Sequence, residues 1–555
     1  MSVRILIVGG YGTFGARLAR LLAGDARLTL IVAGRSLARA EALCAGLPAG
    51  TRALPLVFDR DGDVDGRLAE AAPDLVVDAA GPFQLYGEDP YRLVRACIAR
   101  KIHYVDLADG ADFVAGIDRF QAEARQAGVF VLAGASTFPA LSAAAVRHLV
   151  PDGARIGAVR AGVAPSPWSG VGLNVVRAIV SYAGKPVAPA RQGDRPGWAI
   201  IDSRRRTIAV PGGLPLANIR FTLAETPDLR LADRMWGPVR QVWTGAGPTP
   251  ELLHRLLSGF AWLVRLGLVR SLAPLAGFFH WGSRVFRWGE RRGGMFVEID
   301  AEPAGGAVTR AWHLVAEGDD GPFIPSIGAA AIVRRMLAGQ APEPGARAAY
   351  RDLELADYQP FFDRLAIAHG RWEQPPEGAP LYRRILGEAW ERLPAPVRAM
   401  HDLKGTRTVR GEAEVERGRG PLAALTALVM GLPKAGSNVP VEVTFEQRNG
   451  GELWTRRFAG KRFSSFQEEG RGRSERLVVE RFGPVAVGMA VVLDGERLRL
   501  VIRRATLFGV PLPAFLRPSA GETCERADEH GRFRFEVEIR APLAGLVVRY
   551  RGWLA

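Results

Sequence analysis

VRILIVGGYGTFGARLARLLAG, residues 3–24, decides the fold of the first part of the chain. An apolar run, Ile5 to Val8, ends in glycines spaced Gly10-x-Gly12-x-x-Gly15, and the helical pattern ARLARLLAG follows at once. In a strand–turn–helix context, Gly10 permits the tight turn and Gly12 lets the backbone approach a pyrophosphate. Gly15 lets helix and strand pack closely. Amides at the start of the helix are free to hold the anion. With Tyr11, Thr13 and Phe14 between the glycines, the stretch predicts a dinucleotide-binding turn rather than a merely structural one.

Outward from this turn, short apolar runs alternate with helical patterns up to residue 150. The runs are LTLIVAG (28–34), ALPLVFD (53–59), DLVVDAAG (74–81), IHYVDLA (102–108) and GVFVLAG (128–134). Continuously apolar strands separated by helices mean a parallel sheet covered on both faces, so residues 1–150 read as an α/β, doubly wound Rossmann domain. The end of the second strand reports on the cofactor. An acid about 20 residues beyond the motif would hold the ribose hydroxyls of NAD, but the sequence there is Ala33-Gly34-Arg35-Ser36. A guanidinium at Arg35 can pair with a 2′-phosphate, and Ser36 can add a hydroxyl donor. NADP(H) is therefore expected over NAD(H). The bland reading is a solvent-facing arginine followed by a helix N-cap serine.

Residues 151–340 read as an α+β substrate or dimerisation domain. MFVEIDAE (295–302) and RAWHLVAE (310–317) predict a hairpin, and 321–339 a loop opening a helix. Within this part, 251–288 is helical and very apolar, with scattered arginines and Trp262, Trp281 and Trp288. It reads either as a domain or homodimer core with snorkelling Arg stems, or as an interfacial pair making peripheral membrane contact or admitting a lipid tail. Residues 341–379, rich in Pro, Gly and Ala, read as a linker. From 380 to 555 strict alternation appears, as in VPVEVTFEQ and RFRFEVEIR. Such alternation predicts an antiparallel sheet wet on one face, closed as a curved sheet or small barrel.

Composition excludes several classes. With 48% hydrophobic and 24% charged residues, the 555-residue chain is globular rather than disordered. Three distant cysteines support neither a disulfide framework nor a zinc knuckle, and fit a reducing cytoplasm. The opening MSVRILIVGG turns glycine-rich too early for a signal peptide. No uncharged window reads as a membrane span. The formal charge of +15 falls mainly in the last third, where 30 Lys and Arg face 21 acids over 381–555. These charges are interleaved rather than clustered with aromatics, so nucleic-acid binding is not expected. No histidine pairs with another His or Cys at metal-ligand spacing, and no hydrolase elbow occurs, so no metal is expected. Tyr182 and Lys185 are three apart, without the context of a short-chain dehydrogenase pair.

GGYGTFG, the AGRS strand end, DAAGPFQLYG (78–87) and HYVDLADG (103–110) together resemble the saccharopine dehydrogenase-like NADP-binding family. Residues 380–555 resemble a bacterial domain of unknown function that often follows such reductases, through LYRRILGEAWERLP, GRGPLAALTALVMGLP, ELWTRRFAGKRF and LVVRYRGWL. The first resemblance implies NADP-dependent redox chemistry on a C=C, C=N or C=O bond. It also implies that Gly81, Pro82 and Phe83 form a loop beside the nicotinamide half of the cofactor. Tyr86, His103 and Asp106 are the catalytic candidates. Their bland readings are a packing tyrosine, a satisfied core histidine and a turn cap. A small, lipid-like substrate is expected from the apolar insertion. The alternative is a non-catalytic NADP(H)-binding scaffold for lipid or protein interaction.

Overall fold

The computed structural model describes residues 2–187 and 197–555. The chain divides into two compact units, Met1–Arg205 with Ile219–Ala368, and Arg206–Asn218 with His369–Ala555.

In the first unit, strands β1 (Val3–Val8), β2 (Leu28–Gly34), β3 (Ala53–Val57), β4 (Leu75–Asp78), β5 (His103–Asp106) and β6 (Phe130–Ala133) lie in the order 6-5-4-1-2-3. All pair in parallel. Alternate residues of β1 serve opposite faces: Ile5 and Ile7 join a core with Leu18 and Leu22, whereas Leu6 and Val8 join one with Val64 and Leu68. Covering both faces explains why β2 is buried from end to end. Helix Gly15–Leu22 buries Gly15, Leu18, Ala19 and Leu22, the i, i+3, i+4, i+7 stripe of an amphipathic helix. Strand order reverses between β1 and β4, and the crevice beyond their carboxyl ends is where such sheets bind ligands.

The segment 341–379 is not the linker its composition suggests. Gly345–Ala348 pairs in parallel with β6 as a seventh strand, and helix Leu355–Phe362 buries Tyr358, Phe361 and Phe362. GARA carries no β-branched residue, so its strand character comes from the edge it completes rather than from propensity. The Rossmann sheet thus draws on residues well beyond 150, and residues 206–218 group with the second unit instead of the substrate domain.

A second sheet in this unit is mixed. Arg155–Ala164 pairs in parallel with Gln241–Ala246 and antiparallel with Gly293–Glu302. Gly293–Glu302 forms the expected hairpin with Val308–Ala316. Helix Ile324–Leu337 is buried along most of its length in the core shared by the two sheets. Ser326 Oγ donates to Phe14 O at 2.9 Å, tying the start of that helix to the glycine-rich turn.

The second unit is a closed, ten-stranded antiparallel barrel. Thr406–Arg417 pairs on one side with Gly436–Arg448 and on the other with Gly545–Leu554. Val485–Asp494 pairs with Arg497–Leu507 to complete the ring. Closure removes the exposed edges that an open sheet would present. Val441, Val443 and Phe445 point inward, as the alternation predicts. Inside, the Tyr382 and His401 rings stack at 3.7 Å, and His401 Nε2 lies 2.5 Å from Glu525 Oε2.

One buried carboxyl of the first unit makes stability depend on pH. Asp228 is fully buried, and burial pushes its carboxyl up to about 7 against the hydrogen bond to Ser142. Ser142 Oγ lies 2.5 Å from Asp228 Oδ1 and 3.1 Å from Pro139 O. The hydroxyl has a single proton. When it donates to Pro139 O, a protonated Asp228 donates in turn to Oγ. A raised carboxyl pKa contributes stability that is complete below about pH 4 and is lost as pH rises through about 7. Asp228→Asn keeps a donor without the charge. Its melting temperature should therefore match wild type at pH 4 and exceed it increasingly up to pH 8. A gap independent of pH would refute this assignment.

Candidate functional site

The crevice is built on a close approach. A Cβ at Gly15 would lie 2.3 Å from Gly9 O, so the helix meets the turn only because that atom is missing. Gly9, at φ 74°, takes the left-handed conformation, and a Cβ there would sit 2.7 Å from Ala80 Cα. Sequence reasoning assigned the turn to Gly10 and passed over Gly9; the doublet Gly9-Gly10 was the available signal. Gly9, Tyr11, Gly12, Thr13 and Phe14 line the crevice. A Cβ at Gly12 would lie 3.0 Å from Gly9 O, so the turn closes tightly on itself at this glycine. These features fit a dinucleotide pyrophosphate at the helix N-terminus.

Discrimination of the ribose falls to the end of β2. Tyr11 reaches across it: Ser36 N donates to Tyr11 Oη at 2.8 Å, and a Cβ at Gly34 would lie 2.6 Å from the Tyr11 ring. Ser36 precedes helix Leu37–Ala45 but makes no side-chain cap bond. Arg35 is exposed on the crevice wall, and Arg39, absent from the sequence reading, joins it there. The Arg39 guanidinium lies 4.6 Å above the Tyr11 ring. Four residues on from Arg35, in the first turn of the helix, it doubles the positive charge available to a 2′-phosphate.

Across the switch point, Gly81, Pro82 and Phe83 line the same crevice. Asn174 Nδ2 donates to Gly81 O at 3.0 Å, tying this loop to helix Leu173–Tyr182. The three catalytic candidates are not brought together. Tyr86 lines the crevice, but its hydroxyl points to the buried Asp78 at 3.2–3.3 Å, and the Arg60 guanidinium lies 3.2 Å over its ring. Burial, then the neighbouring Asp78, pushes the phenol well above its ordinary range, so Tyr86 stays protonated. Asp106 is 0% exposed and lies behind the wall. Its Oδ1 accepts from Gly134 N at 2.7 Å and Ala108 N at 3.0 Å, joining the ends of β5 and β6. Burial pushes its carboxyl up to about 7. His103 begins β5, at the end of the sheet away from the crevice. Its Nδ1 accepts from Phe130 N at 3.2 Å and its ring stacks on Phe130 at 4.1 Å, a satisfied core histidine.

Other groups face the cavity instead. Tyr182, Glu225 and Asp109 line it. Desolvation first, then Asp109 and Glu225, raises the Tyr182 phenol. Desolvation, then Asp112, raises the Glu225 carboxyl. Desolvation also raises Asp109, whose Oδ1 accepts from Gln84 Nε2 at 3.0 Å. Each therefore keeps its proton to higher pH than in water. His254, on the same wall, lies 2.8 Å from Thr222 Oγ1 and is pushed down to about 4 by burial, so it is neutral at neutral pH. The cavity, about 1470 Å³, runs on past these groups to Leu253, Leu257, Phe278, Phe279 and Phe286 of the apolar helices.

If Arg35 and Arg39 hold a 2′-phosphate, replacing either by Ala should weaken NADPH binding about 10- to 100-fold, the range for one charge-assisted hydrogen bond. NADH affinity should hardly change. Isothermal titration with both cofactors checks this, and tighter binding of NADH by the wild type would overturn the assignment.

Comparison with known proteins agrees with the crevice. Residues 5–132 match the family model described as saccharopine dehydrogenase NADP binding domain, and residues 393–554 match domain of unknown function DUF4166. No curated protein matches the chain. Among solved structures, a short chain dehydrogenase/reductase family protein is 22% identical, covering 24% of this chain and 72% of its own, with a TM-score of 0.20. A short-chain dehydrogenase/reductase from Saccharomyces cerevisiae is 17% identical over 24% of this chain and 70% of its own, with a TM-score of 0.20. Biliverdin reductase from Synechocystis sp. PCC 6803, in complex with biliverdin and NADP+, is 15% identical over 64% and 94%, with a TM-score of 0.28. Residues 5–132 thus form a saccharopine dehydrogenase-type NADP-binding domain, and residues 393–554 a DUF4166 domain.

Proposed function

We propose that the chain is an NADP(H)-dependent oxidoreductase acting on a C=C, C=N or C=O bond of an apolar, lipid-like substrate. The observation that carries this reading is the single cavity joining the dinucleotide turn to an aromatic and aliphatic wall. Its volume of about 1470 Å³ exceeds the usual ligand-pocket range of roughly 300–1,000 Å³, leaving room for a dinucleotide and a second molecule. NADPH, when bound, supplies a hydride to a polarised double bond. The chain's own part is positional and protic. Arg35, Arg39 and the glycine turn fix one end of the cofactor, and the Gly81–Phe83 loop borders the other. Tyr182 Oη, and the Glu225 carboxyl whose pKa desolvation raises, are the groups suited to give the balancing proton. Tyr86 and Asp106 act as supports, the first buttressing the loop through Asp78 and the second joining β5 to β6.

The test is NADPH oxidation followed at 340 nm with detergent-dispersed long-chain enoyl, imine and keto compounds beside their short-chain analogues. Long chains should be preferred. Tyr182→Phe or Glu225→Gln should lower kcat by about 10²–10⁴-fold, the usual contribution of general acid–base groups, while leaving NADPH affinity unchanged. With Glu225 as donor, the rate of reduction falls as pH rises through its raised pKa, and Glu225→Gln removes that limb. Tight NADPH binding with no NADPH oxidation in the presence of any member of the panel would end the reading and favour a non-catalytic scaffold.

A further inference from the structure

Helices Glu251–Arg265 and Ala276–Val285 carry large apolar side chains on their outward sides as well as toward the cavity. The first buries His254, Ser258 and Ala261. His254 meets Thr222 at 2.8 Å, and Ser258 Oγ accepts from Arg220 at 3.0 Å. Its outer side carries Leu252, Leu256, Trp262 and Leu266, with Leu252 65% and Leu266 64% exposed. The second helix buries only Ala276 and Gly282 and exposes Phe278, Trp281 and Val285. Leu268, at 70% exposure, and Trp288 extend the same apolar character beyond the helices. Ring contacts, one tilted and two edge-on, link Phe278, Trp281, Phe286 and Trp288 into one aromatic series. A helix that rests against water hides its Leu and Trp and shows its Ser and His; here Leu252, Leu256 and Trp262 are exposed while His254 and Ser258 are buried.

Charge identifies the occupant. Residues 251–288 contain five arginines and one acid, Glu251. Glu251 is already engaged by Arg205 and Arg255. Arg265, Arg270 and Arg284 are exposed and have no acidic partner among the described residues. Arg265 lies over the rings of Trp198 and Trp262, at 4.6 and 4.4 Å. An apolar face with Trp, Phe and Leu, bordered by unpaired arginines, has the composition of an interfacial element on an anionic bilayer. No helix among the described residues is long and apolar enough to cross a membrane. A second copy of the chain fits poorly, because a two-fold contact would bring this cationic face against its own copy, with no acid among residues 251–288 but the engaged Glu251 to offset the arginines.

We infer that the helix pair 251–288 is a docking surface for an anionic lipid membrane, laid in the plane of the headgroups. Leu256, Phe278, Trp281 and Phe286 are both exposed on this face and part of the cavity wall. A lipid leaving the bilayer therefore meets the cavity without crossing water. Only this delivery step rests on the oxidoreductase reading; docking stands on the helix pair itself.

The full chain is to be floated with vesicles of phosphatidylcholine alone and of 70:30 phosphatidylcholine:phosphatidylglycerol. Binding to the anionic vesicles is expected, with a blue shift of tryptophan emission and loss in 0.5 M salt. Arg270→Ala with Arg284→Ala should weaken it about thirtyfold, the product of two membrane-proximal charges. Leu266→Ser with Leu268→Ser, off the cavity wall, should weaken it about tenfold or more while NADPH affinity stays at the wild-type value. No association of the wild type with anionic vesicles at low salt would overturn the proposal. So would a dimer in solution that Leu266→Ser with Leu268→Ser dissociates. Vesicle binding without NADPH oxidation in the presence of any lipid of the panel ends the oxidoreductase reading and keeps docking; NADPH oxidation with dispersed lipid but no vesicle binding does the reverse.

Discussion

The approach of Gly15 to Gly9 O sets the geometry on which the site depends. With no room for even one Cβ between them, helix Gly15–Leu22 is drawn down onto β1 and its free amides are placed at the carboxyl edge of the sheet. Tyr11, carried by the same turn, is thereby placed over Gly34, and its hydroxyl holds the backbone of Ser36. That contact fixes where Arg35 leaves the second strand and where Arg39 returns over the ring. Thr13 packs against the start of helix Leu173–Tyr182, where a Cβ at Gly172 would lie 2.5 Å from its Oγ1. The last residue of that helix is the tyrosine facing the cavity. One steric constraint thus couples anion binding, cofactor choice and the far wall of the site.

Carboxyl groups with raised pKa values are common here, and burial alone does not make them chemical. Asp106 and Asp228 are both pushed up to about 7, yet neither reaches the cavity. In each, burial raises the carboxyl while its hydrogen-bond partners, backbone amides for Asp106 and a serine for Asp228, pull it back down. Glu225 and Asp109 are raised by the same desolvation, but they border the space a ligand would fill. Position on the wall, rather than the size of the shift, separates groups able to transfer a proton from groups that support the fold.

What the sequence disclosed follows how local each feature is. The glycine turn, the six strands of the first sheet and the alternating strands of the barrel are written in contiguous residues, and their periods are legible without knowing the partner element. Arg35 was legible for the same reason, since its distance from the motif is fixed along the chain. Arg39 was not, because its relevance depends on Tyr11 reaching across from the glycine-rich turn. Gly345–Ala348 has no strand signal of its own and becomes a strand only beside β6. Tyr182 was set aside on the lack of a known spacing, and Glu225 carried no signal at all. Both come from the second domain and meet the cofactor crevice through tertiary packing. His103 shows the converse: a residue in a matching motif placed at the wrong end of its strand, since four residues of strand span about 13 Å.

The apolar stretch 251–288 was ambiguous in sequence because hydrophobic content does not say which way a helix faces. A core reading requires Leu and Trp to point inward. Instead the fully buried positions of the first helix are His254, Ser258 and Ala261, and the polar pair is satisfied by Thr222 and Arg220. Those hydrogen bonds hold the helix in this orientation, since rotating it to hide the leucines would expose Ala261 and strand Thr222 and Arg220 without partners. Exposure of the apolar side is therefore built in by the buried polar contacts. The cost of presenting that side to water has to be offset by whatever covers it, and the surrounding arginines limit that cover to something negatively charged.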